Sequence, residues 1–402
     1  MRIAFYIPNK NISKIDLSNV DNGNPGIGGS EYSAILIASK LSKTGNLDIT
    51  LLCDKKAMFP EKLNYVACEC LEKAMFYARA KKFDYVVVDA KLLKEHILVL
   101  FYEIKFIAWA NCFIEEKDQH LFAKHPNIIK IVNVGKHQHL LLKDTCIGHK
   151  STYIFNAVPT SILQKFENKI IPINKRKNCV VYIGSIHKAK GFHCLAKIWP
   201  EILKEIPDAQ LYVIGSGHLY GYKSKLGEYG IAQKEYENEF MPYITLNGKI
   251  LPSVHFMGVL GADKYKILNE CKVGVPNPCG ISETFGYTAV EMEMMGCLVT
   301  TIKCPGYLDT VYDKSNLYND TAELKSFIIR LLKENTLDYN ATLNFISEFN
   351  VDKITNQWLR LLNNLTNTEN YIKREGLQTL LNAFVKCKLK EYKSTIKSIL
   401  KK

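Results

Sequence analysis

The sequence predicts an α/β protein of two doubly wound domains that face one another across a central cleft. Three observations carry this expectation. Short apolar runs alternate with helical patterns along the chain, as they do where parallel strands are covered by helices. A polar, basic interval at 171–178 interrupts the alternation, and a new strand-like run restarts it. At 402 residues the chain is long enough for two domains, each burying its own core.

Taken in order, Ile3–Ile7, Ile49–Cys53, Tyr85–Val88, Phe106–Trp109 and Ile128–Val132 read as the strands of the first half. Val180–Ile183, Leu211–Ile214, Val254–Met257 and Val273–Val275 read as those of the second. The expected division is a first domain at 1–170, a linker at 171–178, a second domain at 179–345 and C-terminal helices at 346–402. In the last segment apolar Leu381, Phe384, Tyr392, Ile396 and Ile399 recur at helical spacing, with lysines on other faces. Leu377–Lys402 is therefore expected to be a basic amphipathic helix, a candidate contact with an anionic membrane surface.

Lysine and arginine number 53 against 40 acidic residues, a net charge of +13, which favours anionic partners: nucleotide diphosphates, phospholipid surfaces or nucleic acid. The 12 cysteines are scattered, with no Cys-x-x-Cys, which argues against a zinc ribbon or a secreted disulfide framework and for a reducing cytoplasm. Met1–Pro8 reads as an opening strand rather than a signal peptide. The most apolar segment, Ile97–Ala110, is interrupted by Glu103 and Lys105 and is too short to span a bilayer.

The most informative stretch is Ser282–Gly296, in which Glu283 and Glu291 flank seven residues at the opening of an expected helix. Free N–H groups in a first helical turn favour a diphosphate. If all the intervening residues are helical, Glu291 lies about 12 Å further along the axis, and two carboxylates bracket a polyhydroxyl ligand. A second glycine-rich run, Gly23–Glu31, precedes the helical pattern Tyr32–Leu41, and glycines there permit close backbone approach to a ligand. A third element, Val181–Gly191, reads as strand, loop and helix start.

Together these elements resemble the retaining glycosyltransferases of family 4, whose fold is GT-B: two Rossmann-like domains facing a central cleft. The Glu-x7-Glu spacing, with Thr284-Phe285-Gly286 after the first glutamate, carries most of the likeness. The resemblance implies that Glu283 contacts donor-sugar hydroxyls, that Glu291 binds the nucleotide ribose and that Lys190 reaches the donor phosphates. It implies that Gly28 and Gly29 face the diphosphate and the acceptor, that Thr284, Phe285, Gly286 and Tyr287 border the donor, and that Gly258 ends the strand whose loop lies near the base. Two departures stand out. Ser185 occupies the place of an arginine, so either Lys188 or His187 substitutes for it or stabilisation of the leaving group is weaker here. Asn111, on the acceptor or sugar side, stands where a histidine is frequent, and an amide hydrogen-bonds but takes no proton.

The implied activity is transfer of a sugar from a nucleotide-diphosphate donor to a glycan or lipid-linked acceptor, in cell-surface polysaccharide or lipopolysaccharide synthesis. No cofactor is expected. The chain has no Asp-x-Asp to clamp a donor through a metal, so none is expected at the site. His120, His125, His137 and His139 lack the accompanying glutamate of a helical zinc site and read as surface histidines. Gly215–Ser224 approaches a phosphate-binding P-loop, but Tyr222 splits its Gly-Lys-Ser. An epimerase or phosphorylase would share the architecture. A nucleic-acid-binding protein would draw on charge alone.

Overall fold

The structure, a computed structural model, describes residues 1–45, 47–217 and 225–375. The basic stretch Leu377–Lys402 and most of the near-P-loop run lie outside the described residues. Among the described residues no helix is long and apolar enough to cross a membrane.

The first domain is built on a seven-stranded sheet. Its strands are β1 (Arg2–Ile7), β2 (Asp48–Cys53), β3 (Asn64–Ala67), β4 (Tyr85–Asp89), β5 (Phe106–Ala110), β6 (Ile128–Asn133) and β7 (Ser151–Tyr153). The order is β3-β2-β1-β4-β5-β6-β7, and every pairing is parallel. In β1 all residues after Arg2 are buried, because helices cover both faces. Helix Gly29–Ser42 is buried nearly all round by Ile35, Leu36, Ile37 and their neighbours, as befits a helix sandwiched between layers.

The second domain repeats the plan with β8 (Lys177–Ile183), β9 (Gln210–Ile214), the hairpin β10 (Thr245–Leu246) and β11 (Lys249–Ile250), β12 (Val254–Gly258), β13 (Cys271–Gly274) and β14 (Leu298–Val299). The order β12-β9-β8-β13-β14 is again all parallel, and a separate parallel pair, β15 (Thr301–Ile302) and β16 (Leu317–Tyr318), follows. The interval expected as a linker holds a short 3-10 turn, Ile173–Lys175, and the buried Arg176. That guanidinium donates to the carbonyls of Ile171, Leu268, Cys271 and Met295. The linker is thus locked into the second domain rather than being a solvated spacer.

Chain order reverses between β1 and β4 in the first sheet and between β8 and β13 in the second, so each sheet has a crevice at the carboxyl ends of those strands. Helix Val351–Glu375 returns from the second domain to the first. Its fully buried Trp358 packs against Trp109 at 4.7 Å and Phe5 at 6.0 Å between ring centroids, close to edge-on.

Two outcomes follow from this packing. Trp358→Ala empties an aromatic-walled space and should cost about 3–5 kcal/mol in a denaturant titration. Glu293, in helix Tyr287–Met294, is buried, with Oε1 accepting from the Tyr312 N–H at 2.8 Å and Oε2 without a partner among the described residues. Burial raises its carboxyl from 4.5 to about 8. The folded state therefore keeps a proton that the unfolded chain releases above 4.5, and stability should fall as pH rises from there toward 8, by at most about 1.4 kcal/mol per pH unit. Melting curves of Glu293→Gln should decline less over this range than those of the wild type.

Candidate functional site

The two crevices open into one interdomain cleft with about 1360 Å³ of empty space, its solvent-filled mouth included. In the first domain, Asn24 shapes the glycine-rich loop by accepting from the N–H groups of Gly26 and Ile27 and donating to the Ile27 carbonyl. The loop delivers Gly29 and Ser30, the first residues of helix Gly29–Ser42, to the cleft wall. Gly26, at φ +98°, lies so close to Val259 that a Cβ would stand 2.3 Å from its methyl. Gly28 caps the helix just outside the lining.

In the second domain, Gly286 at φ +71° turns the chain into helix Tyr287–Met294. The helix thus starts four residues after Glu283, not at it, and the expected 12 Å axial separation from Glu291 does not apply. Its first turn, Tyr287 and Thr288, lines the cleft opposite Gly29 and Ser30. Two helix N-termini, each with unsatisfied N–H groups and the positive end of a dipole, therefore border the same space.

Lys190 and Glu283 meet as an ion pair on the cleft wall, and Glu283 also accepts from Asn277 Nδ2 at 3.2 Å. Close approach by Gly306 fixes the Glu283 backbone: its N–H donates to the Glu283 carbonyl at 3.0 Å, and a Cβ there would come within 2.6 Å of that oxygen. Glu291 is buried and accepts at Oε1 from the Tyr265 hydroxyl at 2.7 Å and from Lys264 Nζ at 2.8 Å. Lys264 is absent from the sequence reading. A lysine opening a short helix carries no mark of its role until the burial of its carboxylate partner is known.

Ser185 lies in the cleft wall, and its buried Oγ has no partner among the described residues. Asn156 Oδ1 and Asn277 Oδ1, also in that wall, are buried and equally unpaired. Lys188, one expected substitute for the missing arginine, turns away to pair with Glu239 at 3.0 Å, and His187 caps the turn Lys188–Lys190. Gly258 ends β12 outside the lining, which Val259 and Leu260 carry in its place. Phe285 lines the cleft but commits its ring to an aromatic cluster with Phe155, Tyr287 and Phe349.

Polar contacts join the domains around the cleft. The Thr284 hydroxyl donates to the Asn111 carbonyl at 2.6 Å, and the hydroxyls of Ser33 and Tyr287 share a hydrogen bond. His137, expected at the surface, instead binds Asp309 of the other domain through its backbone N–H at 3.0 Å and Nδ1 at 2.6 Å. Beside the cleft, at the crevice between β1 and β4, a smaller recess of about 350 Å³ is lined by Glu31, Asp89, Lys91 and Asn111. Asn111 Nδ2 donates to Asp89 at 3.3 Å. Burial raises the carboxyls of Glu31 and Asp89 above their ordinary range.

Residues 177–334 match the family model described as Glycosyl transferases group 1. An uncharacterized glycosyltransferase of Haemophilus influenzae is 25% identical over 47% of this chain, a match spanning 59% of that relative's own length. Among solved structures, HepE of Anabaena in complex with UDP and glucose aligns with a TM-score of 0.61 and 15% identity, over 90% of this chain and 100% of its own. Sucrose-phosphate synthase from Thermosynechococcus elongatus aligns at 0.67 and 13%, over 92% and 100%. With two parallel Rossmann-like sheets facing one cleft, the chain has the GT-B fold of glycosyltransferases.

Proposed function

We propose that this protein is a retaining glycosyltransferase that moves a sugar from a nucleotide-diphosphate donor to a hydroxyl of a glycan or lipid-linked acceptor, in the synthesis of a cell-surface polysaccharide or lipopolysaccharide. The observation that carries this reading is the set of buried oxygens in the cleft that have no partner among the described residues, Ser185 Oγ, Asn156 Oδ1 and Asn277 Oδ1. A buried polar atom without a partner is costly, and the two amide oxygens accept only, so what completes them brings hydrogen-bond donors. Sugar and ribose hydroxyls do so. The facing helix N-termini and Lys190 supply the positive field a diphosphate needs.

In this reading the bond from the anomeric carbon to the diphosphate breaks, its electron pair leaving with the nucleoside diphosphate. The acceptor oxygen forms the new bond as its proton passes to the departing diphosphate. Lys190 gives up part of its pairing with Glu283 to the departing phosphates, which frees Glu283 to hold donor-sugar hydroxyls. Lys264 and Tyr265 hold Glu291 in place for the ribose. The recess beside Asn111, with Asp89 and Glu31, suits acceptor hydroxyls. Retention of anomeric configuration rests on the resemblance carried by Glu283 and Glu291. No metal takes part in the proposed transfer, because protein groups neutralise the leaving group.

A thermal-shift screen against UDP-, GDP-, ADP- and dTDP-sugars tests the donor class, since a ligand bound by the native state raises the melting temperature. UDP-sugars come first, because HepE was solved with UDP and glucose. One nucleotide class should raise the midpoint, and transfer from it should proceed without added magnesium or manganese. Lys190→Ala should lower turnover on the order of 10²-fold, as removal of one preorganised charge does. A flat screen, or activity that needs added magnesium or manganese, would contradict the proposal. Donor consumption without an acceptor product would point to an epimerase.

Glu291 calls for a milder change than alanine. Truncation strands buried Lys264 without its counter-charge and should cost about 3–5 kcal/mol, obscuring any binding effect. Glu291→Asp keeps a carboxylate for Lys264 and Tyr265 and should stay folded, its shorter reach raising KM for the donor more than it lowers kcat. Unchanged donor kinetics in a folded Glu291→Asp enzyme would remove the ribose assignment.

A further inference from the structure

We propose that His193, Cys194 and Cys279 form a zinc site that fastens the loop carrying Lys190 to the loop carrying Glu283. A ring nitrogen of His193 and the two sulfur atoms all lie within 4.8 Å of one another. His193 Nε2 is 3.4 Å from Cys194 Sγ. Tetrahedral zinc, with Zn–S near 2.3 Å and Zn–N near 2.0 Å, sets its ligand atoms roughly 3.5–3.8 Å apart, so a displacement of about 1 Å completes the coordination. All three residues are half-buried, which leaves a metal a way in.

The surroundings hold these ligands in place. His193 Nδ1 lies 3.1 Å from the Tyr236 hydroxyl, an outer partner that orients the ring and leaves Nε2 for the metal. His193 and Cys194 sit in the first turn of helix Phe192–Glu205, directly after Gly191 at φ +70°. A Cβ on Gly191 would stand 2.6 Å from Cys279 Sγ, so the residue with no side chain is what lets the two loops approach. The Cys279 loop is pinned from its other side, where Tyr318 donates to the Pro278 carbonyl at 2.6 Å and Thr301 to that of Asn277 at 2.7 Å.

Two sulfurs and an imidazole select zinc over magnesium, calcium or manganese, and three protein ligands leave the fourth position to water. None of the three residues lines the cleft, so the site is separate from the donor chemistry. Its place in the chain gives it an effect there. Lys190 precedes His193 by one turn, and Glu283 follows Cys279 by four residues, so bound zinc holds the two members of the cleft ion pair in register from behind. Sequence spacing could not reveal the site, because Cys194 and Cys279 are brought together only by the adjacency of β8 and β13.

The test is zinc titration of the full-length protein, reduced and stripped with a chelator, following metal retained per chain and the melting temperature. The wild type should retain one zinc per chain after dialysis and melt higher when loaded. Cobalt in its place should show thiolate-to-metal charge-transfer absorption. The Cys194→Ser/Cys279→Ser double variant, its fold checked by circular dichroism, should lose both responses. Tyr236→Phe should weaken zinc binding by about tenfold while leaving the ligands in place. Absence of zinc retention by the reduced wild type, or equal retention by the double variant, overturns the proposal. So does formation of a Cys194–Cys279 disulfide in protein that takes up no metal when reduced.

Discussion

The ion pair between Lys190 and Glu283 depends on strand order. Its two members lie on loops that follow β8 and β13, which are distant in sequence and neighbours in the sheet only because chain order reverses between them. Every nearby detail serves that meeting. Gly191 and Gly306 bring backbones closer than any side chain would allow, and Asn277 links Glu283 to the loop before it. The half-buried setting strengthens the attraction relative to bulk water.

The first domain meets this arrangement with backbone rather than charge. Its glycine-rich loop abuts Val259, Tyr265 and Tyr287 of the second domain at distances that only glycine tolerates at several points. The Tyr287 hydroxyl reaches Ser33, Thr284 reaches the Asn111 carbonyl, and Asp309 receives His137. Separating the domains exchanges all of these for water. The net cost per contact is modest, because each group regains hydrogen bonds to solvent.

Much of the architecture was legible because strands buried on both faces must be written as largely apolar runs, and β1, β2, β4 and β5 are written so. Strands of two to four residues, such as β3, β14 and β15, leave too little pattern to read. Glu283, Glu291 and Gly29 stand out in the sequence by residue type, and all three line one cleft, although the helical separation expected between the glutamates does not hold. Lys264 and the Asp309–His137 contact were not legible, since each acquires its role from a partner far away in sequence, and the oxygens of Asn156 and Asn277, without a partner among the described residues, show only once the cleft around them is assembled. Phe285 shows the opposite case: it belongs to a recognisable motif, yet its ring serves packing.

The return of helix Val351–Glu375 to the first sheet has a consequence for synthesis on the ribosome. Trp358 completes an aromatic group whose other members, Phe5 and Trp109, emerge much earlier. The amino-terminal sheet therefore cannot close its hydrophobic surface while the second half is being translated, although domains generally fold in the order they appear. Until helix Val351–Glu375 arrives, the nascent first domain presents an apolar face to solvent, and its maturation is tied to translation of that helix rather than to its own.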